Sequence, residues 1–159
     1  INEGDKLSVT QNLLQIDRSQ RGIANASVRW YNNESRQQTM IQLNKIIRKD
    51  GVLIVALPNH KSFDAKNYKN YWAAWDVPIH VNHFCPKTIT KLMSKYNFTL
   101  KNKIGMKFDS FYVSLLSSEY RSGRKKYLEG FIMGIISNLS AMLGFSEYSS
   151  TIYIFKNNK

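Results

Sequence analysis

Two of the chain's three histidines lie in the segment from Trp72 to Pro86, with two of its three tryptophans, two of its three prolines and its only cysteine. Imidazole titrates near neutral pH, so His80 or His83 could take a proton from a hydroxyl or amine nucleophile. Hydrogen bonding to the loop backbone is the other role open to both. We therefore expect this segment to be the working surface, with His80 and His83 as candidate catalytic residues.

Other side chains around the histidines could shape and align a substrate. Aromatic rings there could close over a flat substrate or simply pack, and the aspartate could orient a histidine or cap a turn. The asparagine that follows a proline at the end of an apolar run would lie nearest the reacting centre, with ordinary turn chemistry as the alternative. The predicted substrate-binding residues are Asn59, Tyr71, Trp72, Trp75, Asp76 and Phe84.

The cysteine and the histidines exclude some chemistry. A single Cys85 cannot form an internal disulfide, and His80 and His83 are too few ligands for a structural zinc site. Cys85 precedes a predicted helix, whose N-terminus lowers a thiol pKa, but we expect it to be a buried spectator.

A short strand must position this surface. Residues 52–57 form an uninterrupted apolar run rich in β-branched side chains, as expected of a strand buried on both faces. A helical pattern ends before it, at Asp50 and Gly51, so helix, turn and buried strand indicate an α/β unit with a parallel sheet. In such sheets ligands bind beyond the carboxyl ends of the strands, where Asn59 and the segment after it would emerge.

The remaining periodicities predict further elements. Pro86 takes the favoured first position of a helix, and alternation over residues 98–108 indicates a strand near the sheet edge. Helical patterns follow near 111–116 and over 124–143, and residues 151–155 predict a closing strand. Apolar residues in the range 1–35 follow neither a helical nor a strand periodicity, so this range forms a poorly defined N-terminal segment.

Composition sets the class of protein. The chain has 159 residues and 43% hydrophobic content, enough for one domain with a core. Its net charge of +12 would attract polyanions or anionic membranes, although a solvated basic face is the plainer interpretation. Arg121, Arg124, Lys125 and Lys126 are the only tight basic group. No secretory signal pattern is recognisable, so we expect a cytoplasmic location.

The order of elements and two strings resemble the C-terminal half of a class I S-adenosylmethionine-dependent methyltransferase. Residues 47–59 look like that family's helix, K-P-x-G turn and fifth strand. Residues 76–84, D-V-P-I-H-V-N-H-F, are similar to its D-V-P-R-H-x-x-H-F segment, with Ile79 in place of the arginine and Cys85 in place of the serine that usually follows. The resemblance covers residues 39–156.

The resemblance implies an α/β, Rossmann-like methyltransferase fold that is incomplete: a mostly parallel sheet with one antiparallel C-terminal strand, built by residues 36–159. The family's cofactor is S-adenosylmethionine, but no Gly-x-Gly occurs anywhere and too little chain precedes the first predicted helix for the cofactor half. We therefore expect a methyltransferase that does not bind its cofactor as this chain alone, and whose cofactor-binding residues are unknown.

Several partners remain open. The methyl acceptor could be a small molecule or lipid-like, and the incomplete sheet edge could pair two copies as a homodimer. The alternative function is a non-catalytic basic module that binds nucleic acid or an anionic membrane surface. A third hypothesis is that the apolar helix 124–144 docks on a membrane to reach a lipid-like substrate.

Overall fold

The computed structural model describes residues 33–77, 80 and 82–159, together with the backbone of two short strands. These strands, β1 (Gln15–Arg18) and β2 (Ala24–Ser27), pair antiparallel. The later elements are α1 (Asn33–Ile46), β3 (Val52–Pro58), α2 (Phe63–Tyr68), α3 (Pro86–Ser94), β4 (Phe98–Gly105), α4 (Asp109–Ser122), α5 (Tyr127–Met142) and β5 (Ser150–Asn157). Two 3-10 turns, Lys69–Tyr71 and Ala73–Trp75, follow α2.

The main sheet has the order β3-β5-β4, and both of its pairings are antiparallel. The expected mostly parallel sheet was therefore wrong for the part of the chain that the structure describes. The closing strand β5 lies between β3 and β4, which run in the same direction and do not pair with each other. Apolar periodicity reveals each strand but not its neighbour, so the sequence could not show this insertion.

One face of this sheet carries the larger core. Met40 from α1 and Ile89 and Met93 from α3 pack with Tyr153 and Phe155 of β5. All five are almost fully buried, because the alternation along β5 turns every second side chain toward the helices.

The opposite face of the sheet is uncovered by the described residues. Val52 and Ile54 of β3 are 59% and 65% exposed, and Ile104 of β4 is exposed as well. The expectation that β3 would be buried on both faces was therefore wrong. The outer edge of β3 also has no strand partner among the described residues.

A second core joins the helices to the loop after β3. Ala65 and Tyr68 of α2 pack with Trp72, Ala73 and Val113. Helices α4 and α5 form an antiparallel hairpin, since Gly134 lies against Phe111 and Gly130 against Leu115. No helix in the described ranges combines the length and apolar content needed to cross a membrane.

Most predicted elements are confirmed, and α4 is longer than the predicted helix near residues 111–116. The predicted N-terminal segment, residues 1–35, falls mostly outside the described residues, and its boundary at residue 35 stays a prediction. Within it the structure has the β1–β2 pair and the start of α1 at Asn33, which periodicity did not indicate.

Candidate functional site

The carboxyl end of β3 and the predicted working segment are joined by backbone contacts. Asn59 forms a parallel β-bridge with Phe84, and Nδ1 of His60 lies 2.9 Å from the Phe84 carbonyl oxygen. The Asn59 N–H also donates to the Ser149 carbonyl oxygen at 2.8 Å, just before β5. These bonds bring the end of the 76–84 segment beside the end of β3.

Trp75 is the centre of a ring cluster. Its ring stacks with His60 at 6.4 Å between centroids, and meets His83 edge-on at 4.7 Å and Trp72 at 5.1 Å. Its indole N–H donates to the Lys69 carbonyl oxygen at 2.7 Å. The half-buried indole is therefore fixed in orientation, which suits a rigid wall against which a flat or apolar group could rest.

Hydrogen bonding assigns the protons on two of the histidines. Nε2 of His83 lies 2.9 Å from the Trp75 carbonyl oxygen, and Nδ1 of His60 contacts the Phe84 carbonyl. Because a carbonyl oxygen only accepts, both nitrogens must carry hydrogen. In the neutral rings, Nδ1 of His83 and Nε2 of His60 are then the nitrogens that can accept a proton.

His80 lies apart from this cluster. Its Nε2 is 3.7 Å from a carboxylate oxygen of Asp76, and both side chains are about half exposed. The His80 N–H donates to the Asp76 carbonyl oxygen at 2.9 Å, and Asp76 adopts a left-handed backbone conformation that ends a 3-10 turn. Asp76 thus both ends a turn and contacts a histidine, the two roles that the sequence left open. The structure assigns no helix at His80 or His83.

Asn59 is fully buried rather than open to a substrate. Its Oδ1 accepts from the Lys61 N–H at 3.0 Å, which fixes the orientation of the amide. Its Nδ2 has no hydrogen-bond partner in the described part of the chain. A buried amide left unpaired costs about 1–3 kcal/mol, and because this group is fully enclosed, a buried water rather than a substrate would be its partner.

The other predicted substrate-binding residues differ in accessibility. Trp72 and Phe84 are buried, and Trp72 belongs to the second core. Tyr71 is 49% exposed at the end of the first 3-10 turn. Of the predicted side chains, the structure brings together Trp72, Trp75 and His83, while Tyr71 and His80 lie nearer the solvent.

Asp64 anchors the loop that carries the ring cluster through buried hydrogen bonds. It is fully buried, and it accepts hydrogen bonds of 2.7 Å from the Trp72 indole, Ser137 and Ser149. These donors come from the residue between the two 3-10 turns, from α5 and from the residue before β5. A buried carboxylate with three donors is stabilised by them and fixes the elements that carry them.

Sequence reasoning missed His60 and this carboxylate. His60 directly follows Asn59 at a strand end, which was a usable signal, because polar residues at that position face the loops. Asp64, Ser137 and Ser149 carried no signal, since they are separated along the chain and only the folded structure shows them together.

Cys85 lies at the N-cap of α3, with Thr88 in the first turn. Its N–H donates to Oγ1 of Thr88 at 2.9 Å, which is the bond that the N3 side chain makes in a capping box. Burial raises the pKa of the Cys85 thiol, but the Thr88 hydroxyl, the N–H groups of Thr88 and Lys87 and the charge of Lys61 together lower that pKa below its ordinary value.

The ring cluster can bind and orient a flat or apolar group, and a neutral imidazole of His60 or His83 can accept a proton. Within the described residues, no group of three or more His, Cys, Asp or Glu side chains could hold a metal ion. The turn after β3 contains no glycine, and Asn59 and Asp64 are turned inward. The turn after β3 therefore lacks the glycine-rich sequence and the outward-facing carboxylate with which folds of this kind hold a nucleotide cofactor.

Comparisons with known proteins give limited similarity. No family model matches the sequence, and no curated protein matches it. The solved structures that match include a cyclopropane synthase of Mycobacterium tuberculosis, at 12% identity and a TM-score of 0.42. The match covers 78% of this chain and 50% of the synthase, so the chain spans about half the length of that protein.

Proposed function

We propose that this chain is the acceptor side of an S-adenosylmethionine-dependent methyltransferase, and that residues 59–84 bind and align the methyl acceptor. The observation that carries the proposal is the bridge between Asn59 and Phe84. It joins the D-V-P-I-H-V-N-H-F string to the carboxyl end of the strand that resembles the family's fifth strand. Both strings on which the resemblance depends thus meet at one place in the fold.

The acceptor would rest against the Trp75 indole. This ring is held by His60, His83 and Trp72, so it offers a fixed apolar wall. Tyr71 would cover an acceptor from the solvent side. A flat small molecule or a lipid-like chain suits such a wall, and alignment by it contributes to rate because it removes the entropy of finding the reacting geometry.

The histidines would handle the acceptor's proton where the acceptor is a hydroxyl or an amine. Nδ1 of His83 and the exposed ring of His80 are the proposed proton acceptors, with the Asp76 carboxylate 3.7 Å from Nε2 of His80. The methyl donor would be held by residues outside those described here, so no donor contact is assigned to this chain.

The uncovered face and edge of the main sheet could pack against further strands. The outer edge of β3, which no described strand pairs, and the exposed Val52 and Ile54 form a surface on which further strands and a covering layer would pack. Cofactor-binding strands elsewhere in a longer polypeptide are the proposed occupant. Pairing of two copies through this edge, giving a homodimer, is the alternative.

Calorimetric titration with S-adenosylmethionine tests the donor side of the proposal. The chain alone should give no binding heat, and a longer polypeptide extended upstream from the gene should give heat. A longer polypeptide that also gives none, while remaining folded by circular dichroism, would count against a methyltransferase.

Transfer of labelled methyl groups tests the acceptor side. In the longer polypeptide, Trp75→Leu and His80→Ala should lower transfer to acceptors in a cell extract by about tenfold or more, with cofactor affinity unchanged. Lys91→Ala, on the exposed face of α3, is the matched control and should transfer normally. Unchanged transfer by both site variants would remove residues 59–84 from the acceptor site.

Nucleic-acid binding is a second proposal, supported by the net charge of +12. It predicts an electrophoretic shift with RNA that weakens steeply as salt is raised, because counterion release drives such binding. Absence of a shift at low salt would exclude it.

A further inference from the structure

Helix α5 is turned with its apolar side outward. The residues that it buries are small or polar, namely Gly130, Gly134 and Ser137. A helix in a water-soluble domain normally buries its apolar stripe and exposes its polar one. The reversed arrangement leaves a surface that water solvates poorly.

The outward stripe is continuous along the helix. Its members recur three or four positions apart and are all at least 38% exposed: Leu128, Phe131, Ile132, Ile135, Ile136, Leu139, Met142 and Leu143. We call these eight residues the α5 stripe. Single exposed apolar residues are common on proteins, but a contiguous apolar patch marks a site that meets a partner.

Small residues hold the helix in this orientation. A side chain at Gly130 would meet the Leu115 Cα at 2.8 Å, and one at Gly134 would meet the Phe111 Cα at 3.0 Å. Ser137 is tied inward to Asp64. Since α5 cannot rotate without breaking these contacts, the exposed stripe is a fixed feature of the fold.

Aromatic side chains frame the hairpin at both ends. Tyr120 and Tyr127 are exposed where α4 ends and α5 begins, and Phe108 and Phe145 are exposed at the opposite end, 89% and 80% respectively. Tyrosines at the edge of an apolar surface are typical of a membrane interface, where the ring body is apolar and the hydroxyl stays wet.

Positive charge lies beside the two tyrosines. Arg124 and Lys125 are exposed in the turn between α4 and α5, and neither forms an ion pair with any described residue. Glu129, the only acidic residue of α5, is paired with Arg121 and Lys126. The apolar face therefore has free cations at one end and no free anion on its helix.

We propose that the α4–α5 hairpin docks on an anionic lipid bilayer, with the α5 stripe at the level of the acyl chains and Arg124 and Lys125 at the headgroups. The helix would lie in the plane of the interface, as amphipathic helices with basic flanks do. This docking does not depend on the proposed methyl transfer.

Charge favours a lipid surface over a second copy of the chain. Two copies would each carry a net charge of +12, and their repulsion would oppose an apolar contact, whereas anionic headgroups attract the same charges.

Flotation with lipid vesicles, at low salt and without any cofactor, tests the docking. The chain should float with vesicles of phosphatidylcholine and phosphatidylglycerol, and about tenfold less with phosphatidylcholine alone. Phe131→Ser/Ile135→Ser should weaken binding to the mixed vesicles by at least about tenfold, because each apolar side chain buried in lipid contributes separately. Val52→Ser/Ile54→Ser, which changes two apolar residues of the sheet that are more exposed than Phe131 and Ile135, should bind normally.

A second pair of variants separates local charge from net charge. Arg124→Glu/Lys125→Glu should weaken binding by about tenfold or more, and Lys49→Glu/Lys91→Glu, with the same change in net charge, should weaken it by less than about threefold. Equal losses in both pairs, or no flotation with mixed vesicles, would overturn the proposal. Loss of flotation in the longer polypeptide would also overturn it. So would a dimer, seen by sedimentation velocity, that the Phe131→Ser/Ile135→Ser variant dissociates, if vesicles bind no protein.

Discussion

Ser137 on α5 donates a hydrogen bond of 2.7 Å to Oδ1 of Asp64 on α2, across 73 residues of sequence. The same carboxylate accepts from Trp72 and Ser149. Asp64 therefore fixes three parts of the chain relative to one another: the helix that carries the exposed stripe, the loop that carries the ring cluster, and the start of β5.

Asp64→Asn should lower the free energy of unfolding by about 2–4 kcal/mol. An amide nitrogen cannot accept, so at least one buried donor loses its partner. Urea denaturation followed by tryptophan fluorescence measures the loss, and Trp72 reports on this site directly. Asp50→Asn is the control, since Asp50 is exposed and its ion pair with Lys156 should contribute less than about 1 kcal/mol. Equal losses in the two variants would contradict the role given to Asp64.

Gly134→Ala should destabilise the hairpin by about 1–3 kcal/mol, although alanine is the better helix former. The added methyl group would lie 2.8 Å from Cγ of Phe111 and 3.0 Å from its Cα, too close to fit without moving α4. Thermal unfolding followed by circular dichroism measures the effect. Ser140→Ala, on the same helix, should change stability by about 0.5 kcal/mol or less. A more stable Gly134→Ala variant would show that α4 and α5 pack less closely.

Replacing His83 or His80 with alanine should change the free energy of unfolding by different amounts. His83→Ala should cost about 1–2 kcal/mol, because it removes the bond to the Trp75 carbonyl and the edge-on ring contact. His80→Ala should stay within about 0.5 kcal/mol, since His80 is half exposed and its pair with Asp76 lies in solvent. Urea unfolding of both variants decides this. A destabilising His80→Ala together with a neutral His83→Ala would reverse the assignment of the structural histidine.

How far the sequence predicted the fold depended on how local each signal was. The strand β3, the helix that begins at Pro86 and the closing strand are defined by neighbouring residues, and all three are confirmed. Strand order is a property of distant pairs, and the insertion of β5 between β3 and β4 left no local mark. The exposure of Val52 and Ile54 was missed for the same reason, because an apolar run does not show whether anything covers it.

The candidate site followed the same rule. Trp75 and His83 are near in sequence and were grouped correctly, while their roles stay a prediction. Asn59 was placed at the strand end, but its burial came from contacts with Lys61 and Ser149 that composition could not reveal. His60 was overlooked because it stands outside the dense segment, and its contacts with Trp75 and with the Phe84 carbonyl appear only in the folded chain.

Two buried tyrosines should make stability fall steeply in alkali. Burial, as the largest cause, raises the pKa of Tyr68 and of Tyr153 from 10.0 to about 12. Between these values the unfolded chain has lost the phenolic proton and the folded chain still holds it, so stability is full below pH 10 and is lost as pH rises through 12.

By pH 12 each tyrosine should account for a loss of about 2 kcal/mol relative to neutral pH. Urea unfolding from neutral pH to pH 12 measures the slope, and Tyr68→Phe should reduce it by about half, because position 68 then has no phenol to titrate while Tyr153 still does. Tyr112→Phe, at an exposed position of α4, should keep the original slope. If Tyr68→Phe and Tyr112→Phe follow the same curve, the phenol of Tyr68 ionises as freely in the folded chain as in the unfolded one, and its burial in the second core is wrong.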